Sequence, residues 1–122
     1  MINLLEYTRR PDIFFYRNGT IRIKAHVARI LSLCPGDIIN IAVNQGEYLL
    51  HASRVKNCIG RREAQCYPTK KGSDNYCANS VRLCRLLLSA IGSPADKVAF
   101  NIGEPIEISG KIYIPIITKN PI

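Results

Sequence analysis

The sequence predicts a small α+β fold rich in β-structure, with two short helices set among many short strands. Three observations predict it: short apolar runs that alternate in and out, turn residues between those runs, and two stretches with helical spacing. The chain has 122 residues, 47% of them hydrophobic. That length can bury a core without disulfides and fits a single domain, here 1–122. The apolar fraction argues against disorder.

Residues 11–17, PDIFFYR, are rich in β-formers and read as a strand. Asn18-Gly19 follows, a hairpin turn signal because both residues accept positive φ. In 20–24, TIRIK, Ile21 and Ile23 face one way while Thr20, Arg22 and Lys24 face the other. The stretch 26–33 places Val27, Ile30 and Leu31 on one side of a short helix, which Cys34-Pro35-Gly36-Asp37 ends. Residues 38–43 and 47–52 read as two strands around an Asn44-Gln45-Gly46 turn. The segment 53–76 is polar, basic and punctuated by Gly and Pro. It reads as a long excursion with one strand near Glu63–Tyr67, and a loop of this length is often functional. Asn79 or Ser80 would cap the helix 80–91, with Gly92 just past its end. Residues 97–102, 106–108 and 112–118 complete the strands, with a turn at Ser109-Gly110. Pro115 inside the last run predicts an edge strand or a bulge, because it has no N–H to give the ladder.

The order strand, helix, Asp turn, strand, strand occurs in 20–52 and again, with a weaker first strand, in 75–117. Arg29-Ile30-Leu31 parallels Arg85-Leu86-Leu87, and Asp37-x-Ile39-x-Ile41-x-Val43 parallels Asp96-x-Val98-x-Phe100-x-Ile102. This divides the chain into a half-repeat at 11–52, a basic connecting segment at 53–76 and a half-repeat at 77–118.

Composition excludes several classes. No apolar run is long enough to span a bilayer, so no membrane partner is expected. The apolar stretch within Met1–Arg10 is too short for a signal peptide, and its arginines follow that stretch, so a cytoplasmic location is expected. Five cysteines, an odd number with no C-x-x-C pair, argue against both zinc and a disulfide framework. They read as buried or incidental thiols in a reducing compartment. His26 and His51 are the only histidines, and no H-E-x-x-H, G-x-S-x-G or phosphate-loop pattern occurs. The chain therefore reads as a non-enzyme, with no cofactor and no evident small-molecule substrate.

The net charge is +8 and it is concentrated. Residues 9–29 hold six basic side chains and one acid, and residues 54–85 hold eight and two. The remainder is net negative. Clustered lysine and arginine attract polyanions, with nucleic acid first among them.

Residues 18–50, NGTIRIKAHVARILSLCPGDIINIAVNQGEYLL, resemble the AbrB/MazE-like swapped-hairpin family. Gly19, Ile21, Ile23, Val27, Arg29, Leu31, Leu33, Gly36, Asp37, Ile39, Ile41, Val43 and Leu50 fall in step with its pattern without a gap. Lys24-Ala25 stands where the family often has proline, and Thr20 where it often has arginine. The resemblance implies an interlocked, barrel-like body of two hairpin units, with arginines of one face meeting DNA. Members are small DNA-binding transcription regulators or toxin antidotes. With the repeat, it further implies an internally duplicated pseudo-dimer, the halves of one chain standing for two subunits. A homodimer or larger assembly of such chains stays open.

The residues expected to meet nucleic acid are Arg17, Arg22, Lys24 and Arg29 from the first block, and Arg54, Lys56, Arg61, Arg62, Lys70, Lys71 and Arg82 from the second. Lysine and arginine neutralise phosphates and release counterions, and arginine also reads guanine edges. Arg29 maps onto a basic position of the resembled family. Tyr67 and Tyr76 could stack on bases, but half-buried packing is the favoured reading for both. The competing reading is a structural or adaptor subunit of a larger phage or mobile-element assembly, which would dock an acidic protein or packaged nucleic acid through 53–76.

Overall fold

The computed structural model describes residues 11–54 and 63–118. In chain order the elements are β1 (Ile13–Tyr16), β2 (Thr20–Ile23), α1 (Ala25–Leu31), β3 (Ile38–Asn44), β4 (Glu47–Ser53), β5 (Tyr67–Pro68), β6 (Tyr76–Asn79), α2 (Val81–Ala90), β7 (Lys97–Phe100), β8 (Ile106–Ile108) and β9 (Lys111–Ile116). Two antiparallel sheets result, neither closed on itself. Sheet one runs β5-β6-β2-β1-β7 and sheet two runs β3-β4-β9-β8. No helix among the described residues is long and apolar enough to cross a membrane.

Alternation decides which side of sheet one is core. Ile13, Phe15, Ile21 and Ile23 are buried, and Phe14, Tyr16 and Arg22 point the other way. Phe15 meets Phe100 edge to face, with ring centroids 5.9 Å apart. Ile39 and Leu50 of sheet two, Ile114 of β9, Val27 of α1 and Leu88 of α2 close the same core. Each such side chain contributes about 1.5–3 kcal/mol relative to full exposure.

Both helices have local punctuation. α1 stops at Leu31, short of the expected end, because Ser32 turns left-handed (φ 53°) and Leu33 N–H returns to the Ala28 carbonyl. Asp37 is buried and its carboxylate accepts the Cys34 N–H at 2.8 Å, which ties the turn into β3. α2 is capped by Ser80, whose hydroxyl accepts the Leu83 N–H at 3.0 Å. At its far end Gly92 (φ +69°) lets the Ser93 N–H reach the Leu88 carbonyl.

Two seams join the sheets. Residues 64–66 run against the start of β3, with an Ile38–Gln65 bridge and the Ile39 N–H donating to the Ala64 carbonyl. Residues 101–103 leave β1 and run against β9, with an Ile102–Ile116 bridge. The strand expected over 97–102 is therefore split between two sheets. Pro115 corrects another expectation: β9 is an inner strand, between β4 and β8. Pro115 is tolerated because its missing donor faces the second seam, where its carbonyl accepts the Gly103 N–H at 2.8 Å.

A candidate nucleic-acid interface on the outer face of sheet one

Residues opposed in an antiparallel ladder share a face. The pairings Ala99–Phe14, Phe14–Arg22, Arg22–Cys77 and Cys77–Tyr67 therefore form one row across the outside of sheet one. Lys97 stands opposite Tyr16, at one end of the next row. The tight Asn18-Gly19 turn brings Arg22 back beside Phe14, with the Asn18 side chain accepting the Thr20 N–H at 2.9 Å.

Three cations gather over two rings. The Arg22 guanidinium lies 5.9 Å from the Tyr16 centroid, and Lys24 Nζ lies 5.7 Å from that of Phe14. Lys97 Nζ sits between the rings, 5.6 Å from Phe14 and 5.9 Å from Tyr16. Such contacts contribute about 0.5–1 kcal/mol each at exposed sites, so they orient the cations without fixing them. None of the three forms an ion pair among the described residues. No strand of sheet one contains an acid, whereas sheet two carries Glu47 and Glu107. Among the described residues the strands of this face thus carry positive charge and aromatic rings, and the nearest exposed acid in sequence is Asp96, just before Lys97.

The expected site residues divide into five groups. Arg22 and Lys24 belong to this cluster. Lys70 and Lys71 are exposed in the 69–75 turn between β5 and β6, at the edge of the same sheet. Arg29 lines a shallow cavity of about 300 Å³, and Arg85, which was not among the expected residues, lines another of about 440 Å³. Arg29 is 3.9 Å from Asp74, and Arg85 stands near Asn18 and Asp96. Three arginines have internal tasks. Arg17 Nη2 donates to the carbonyls of Ser93 (2.9 Å) and Ala95 (3.0 Å), clamping the approach to β7. Arg54 approaches the buried Asp37 at 3.5 Å and donates to Cys34 Sγ at 3.0 Å. Arg82 donates to Glu63 at 3.1 Å. The Ser80 hydroxyl is the largest of the effects that hold the Glu63 carboxyl below its ordinary range; burial, next in size, opposes it, and the Arg82 charge and hydrogen bond reinforce it. Lys56, Arg61 and Arg62 lie outside the described residues.

Sequence reasoning missed Lys97, Phe14, Tyr16 and Arg85 as a group. Alternation alone would place Phe14 and Tyr16 opposite Ile13 and Phe15, but Lys97 joins them only through the β1–β7 pairing. Tyr67 departs from the favoured packing reading, being 45% exposed on the outer face. Tyr76 fits it, half-buried with its hydroxyl donating to the Leu33 carbonyl at 3.1 Å.

The remaining titratable groups face elsewhere. His51 packs against Tyr113 in sheet two at 5.2 Å, and burial, then Lys111, lowers its pKa. Burial pushes the Cys66 thiol up to about 12 and the Cys84 thiol to about 11, so both are inert as nucleophiles near neutral pH. None of the family models, curated proteins or solved structures compared with the chain matches it.

Proposed function

We propose that the chain is a DNA-binding protein, a small transcription regulator working in the cytoplasm, that lays the outer face of sheet one on the phosphate backbone. One observation carries the reading: Arg22, Lys24 and Lys97 converge over Phe14 and Tyr16 on a five-stranded sheet without an acid in its strands. A polyanion is the partner that such a surface favours, because every cation it neutralises releases a condensed counterion. Lys70 and Lys71 add positive charge at one edge, and Arg85 lines a cavity with Tyr16 and Asp96 toward the β1–β2 turn. The swapped-hairpin architecture is supported by two exchanges. β7 follows α2 but pairs with β1, and the segment leading into β5 pairs with β3. The two seams, Ile38–Gln65 and Ile102–Ile116, are single bridges that link the two open sheets, which favours an interlocked body of two units.

The test is fluorescence anisotropy with a labelled random duplex at two salt concentrations. Wild-type affinity should fall steeply with salt. The Arg22→Ala/Lys24→Ala/Lys97→Ala variant should bind more weakly and lower the log–log salt slope by about one for each phosphate it no longer neutralises. No binding at low salt by a protein shown to be folded would sink the reading.

A subunit of a larger assembly is the second reading. The outer edge strand β8 favours it, since Ile106 and Ile108 there are 39% and 48% exposed. Concentration-dependent sedimentation that is abolished by Ile106→Lys/Ile108→Lys would turn the assignment that way.

A further inference from the structure

We propose that one chain occupies its DNA site alone and in one orientation, so that the duplex sequence it prefers lacks two-fold symmetry. This rests on the DNA-binding reading above and specifies what that surface would select.

The backbone of sheet one has an approximate dyad through the Arg22–Cys77 pair. Ile21 stands opposite Ala78 and Ile23 opposite Tyr76, so β2 and β6 exchange places about that point. Outside them, Phe14 flanks Arg22 and Tyr67 flanks Cys77. A helix follows each central strand, and each helix start touches the other hairpin's turn. The Gly19 carbonyl accepts the Ser80 N–H at 2.8 Å before α2, and the Asn75 side chain accepts the Ala25 N–H at 2.8 Å at the start of α1. Arg29 and Arg85 each line a cavity beside one of these turns.

A dimer with a true dyad presents two identical half-surfaces and reads a palindrome. Here the order β5-β6-β2-β1 keeps the dyad, while β7, which flanks β1 alone, the unequal turns and the side chains break it. Arg22 has Cys77 as its counterpart. The Phe14 ring carries two ammonium groups, while no cation sits over Tyr67 among the described residues. Arg29 is paired with Asp74, whereas Arg85 has no ion pair among the described residues. One turn is Asn18-Gly19, and the other is the longer 69–75 with its two lysines. One end of the face thus offers cations on a strand and a helix, Lys97 and Arg85. The other end offers two loop lysines and Arg29, whose guanidinium stands 3.9 Å from Asp74. A guanidinium on a helix can read guanine edges bidentately, but a loop lysine acts as a point charge on phosphate. The two half-sites are held to different sequence requirements.

The test selects preferred sequences from a random duplex library with the full chain and then footprints the selected duplex with hydroxyl radicals. The expected result is a non-palindromic consensus with one chain per duplex by native mass spectrometry. The Lys70→Ala/Lys71→Ala variant should lose protection on one flank only, and the exposed Arg85→Ala variant on the opposite flank. A palindromic consensus with two chains bound, or loss on both flanks with either variant, overturns the inference. Failure to enrich any sequence, with salt-dependent binding retained, overturns it and leaves the DNA reading standing. Absence of any binding overturns both.

Discussion

In the β1–β2 hairpin the chain reverses on Asn18-Gly19, and the turn is wedged against the first residue of α2. A Cβ at Gly19 would lie 2.7 Å from Val81 Cγ2 and 2.9 Å from the Val81 nitrogen. In the β5–β6 hairpin the chain reverses over 69–75, where Gly72 has open space around it. That turn reaches the start of α1 through one side-chain hydrogen bond, from Ala25 N–H to Asn75. The two turns stand in corresponding places and divide the work. The tight one holds the sheet to a helix by steric fit. The loose one meets α1 through polar contacts, the Ala25–Asn75 hydrogen bond and the exposed Arg29–Asp74 pair, and it presents Lys70 and Lys71 to solvent.

The sharpest way to break that comparison is Gly19→Ala against Gly72→Ala. The first forces a side chain into contact with α2 at φ +106° and should cost about 3 kcal/mol, combining overpacking with left-handed strain. The second has only its φ of +79° to overcome and should cost about 1 kcal/mol. Urea denaturation separates them, and equal losses would mean that the tight turn has no wedge. Carboxylates give the next contrast. Asp37→Ala removes a buried acceptor from the Cys34 N–H and should cost about 2 kcal/mol. Asp74→Ala removes only an exposed partner of Arg29 and should cost less than about 0.5 kcal/mol.

Binding sharpens the contrast between the two sheets. Lys97 and Lys111 both lie over tyrosine rings, at 5.9 Å and 5.8 Å, but on different sheets. Lys97→Ala should weaken duplex binding roughly three- to tenfold at low salt, as expected when one phosphate is left without its cation. Lys111→Ala should leave anisotropy titrations unchanged. The smallest effect is on pH. Because burial and Lys111 lower the His51 pKa in the folded state, the unfolded chain takes up the proton first as pH falls below 6.5. The His51 contribution to stability is complete above that pH and declines through the window down to its lowered folded value. Urea midpoints at pH 7.5 and 5.5 should therefore differ more for wild type than for His51→Asn.

What the sequence disclosed was local. The Asn18-Gly19 turn, the alternation of 20–24, the Ser80 cap and the stop at Gly92 are each set by a few neighbouring residues. What it did not disclose was pairing at a distance. Pro115 argued for an edge because a proline removes a donor, but only the 101–103 seam determines where that donor would have pointed. The same limit applies to the candidate site. Arg22 and Lys24 were legible from one strand's alternation. Lys97 joins them from the other half of the chain, and Arg17 looked equally free until the segment before β7 placed the Ser93 and Ala95 carbonyls around it.

The most direct test of the interface is an amide-shift titration of the labelled protein with a short DNA duplex. If sheet one is the binding surface, shifts should concentrate in β1, β2, β7 and around Lys70–Gly72, with β8 and its turn into β9 unmoved. Shifts centred on β8 and β9, with the outer face of sheet one silent, would contradict the account.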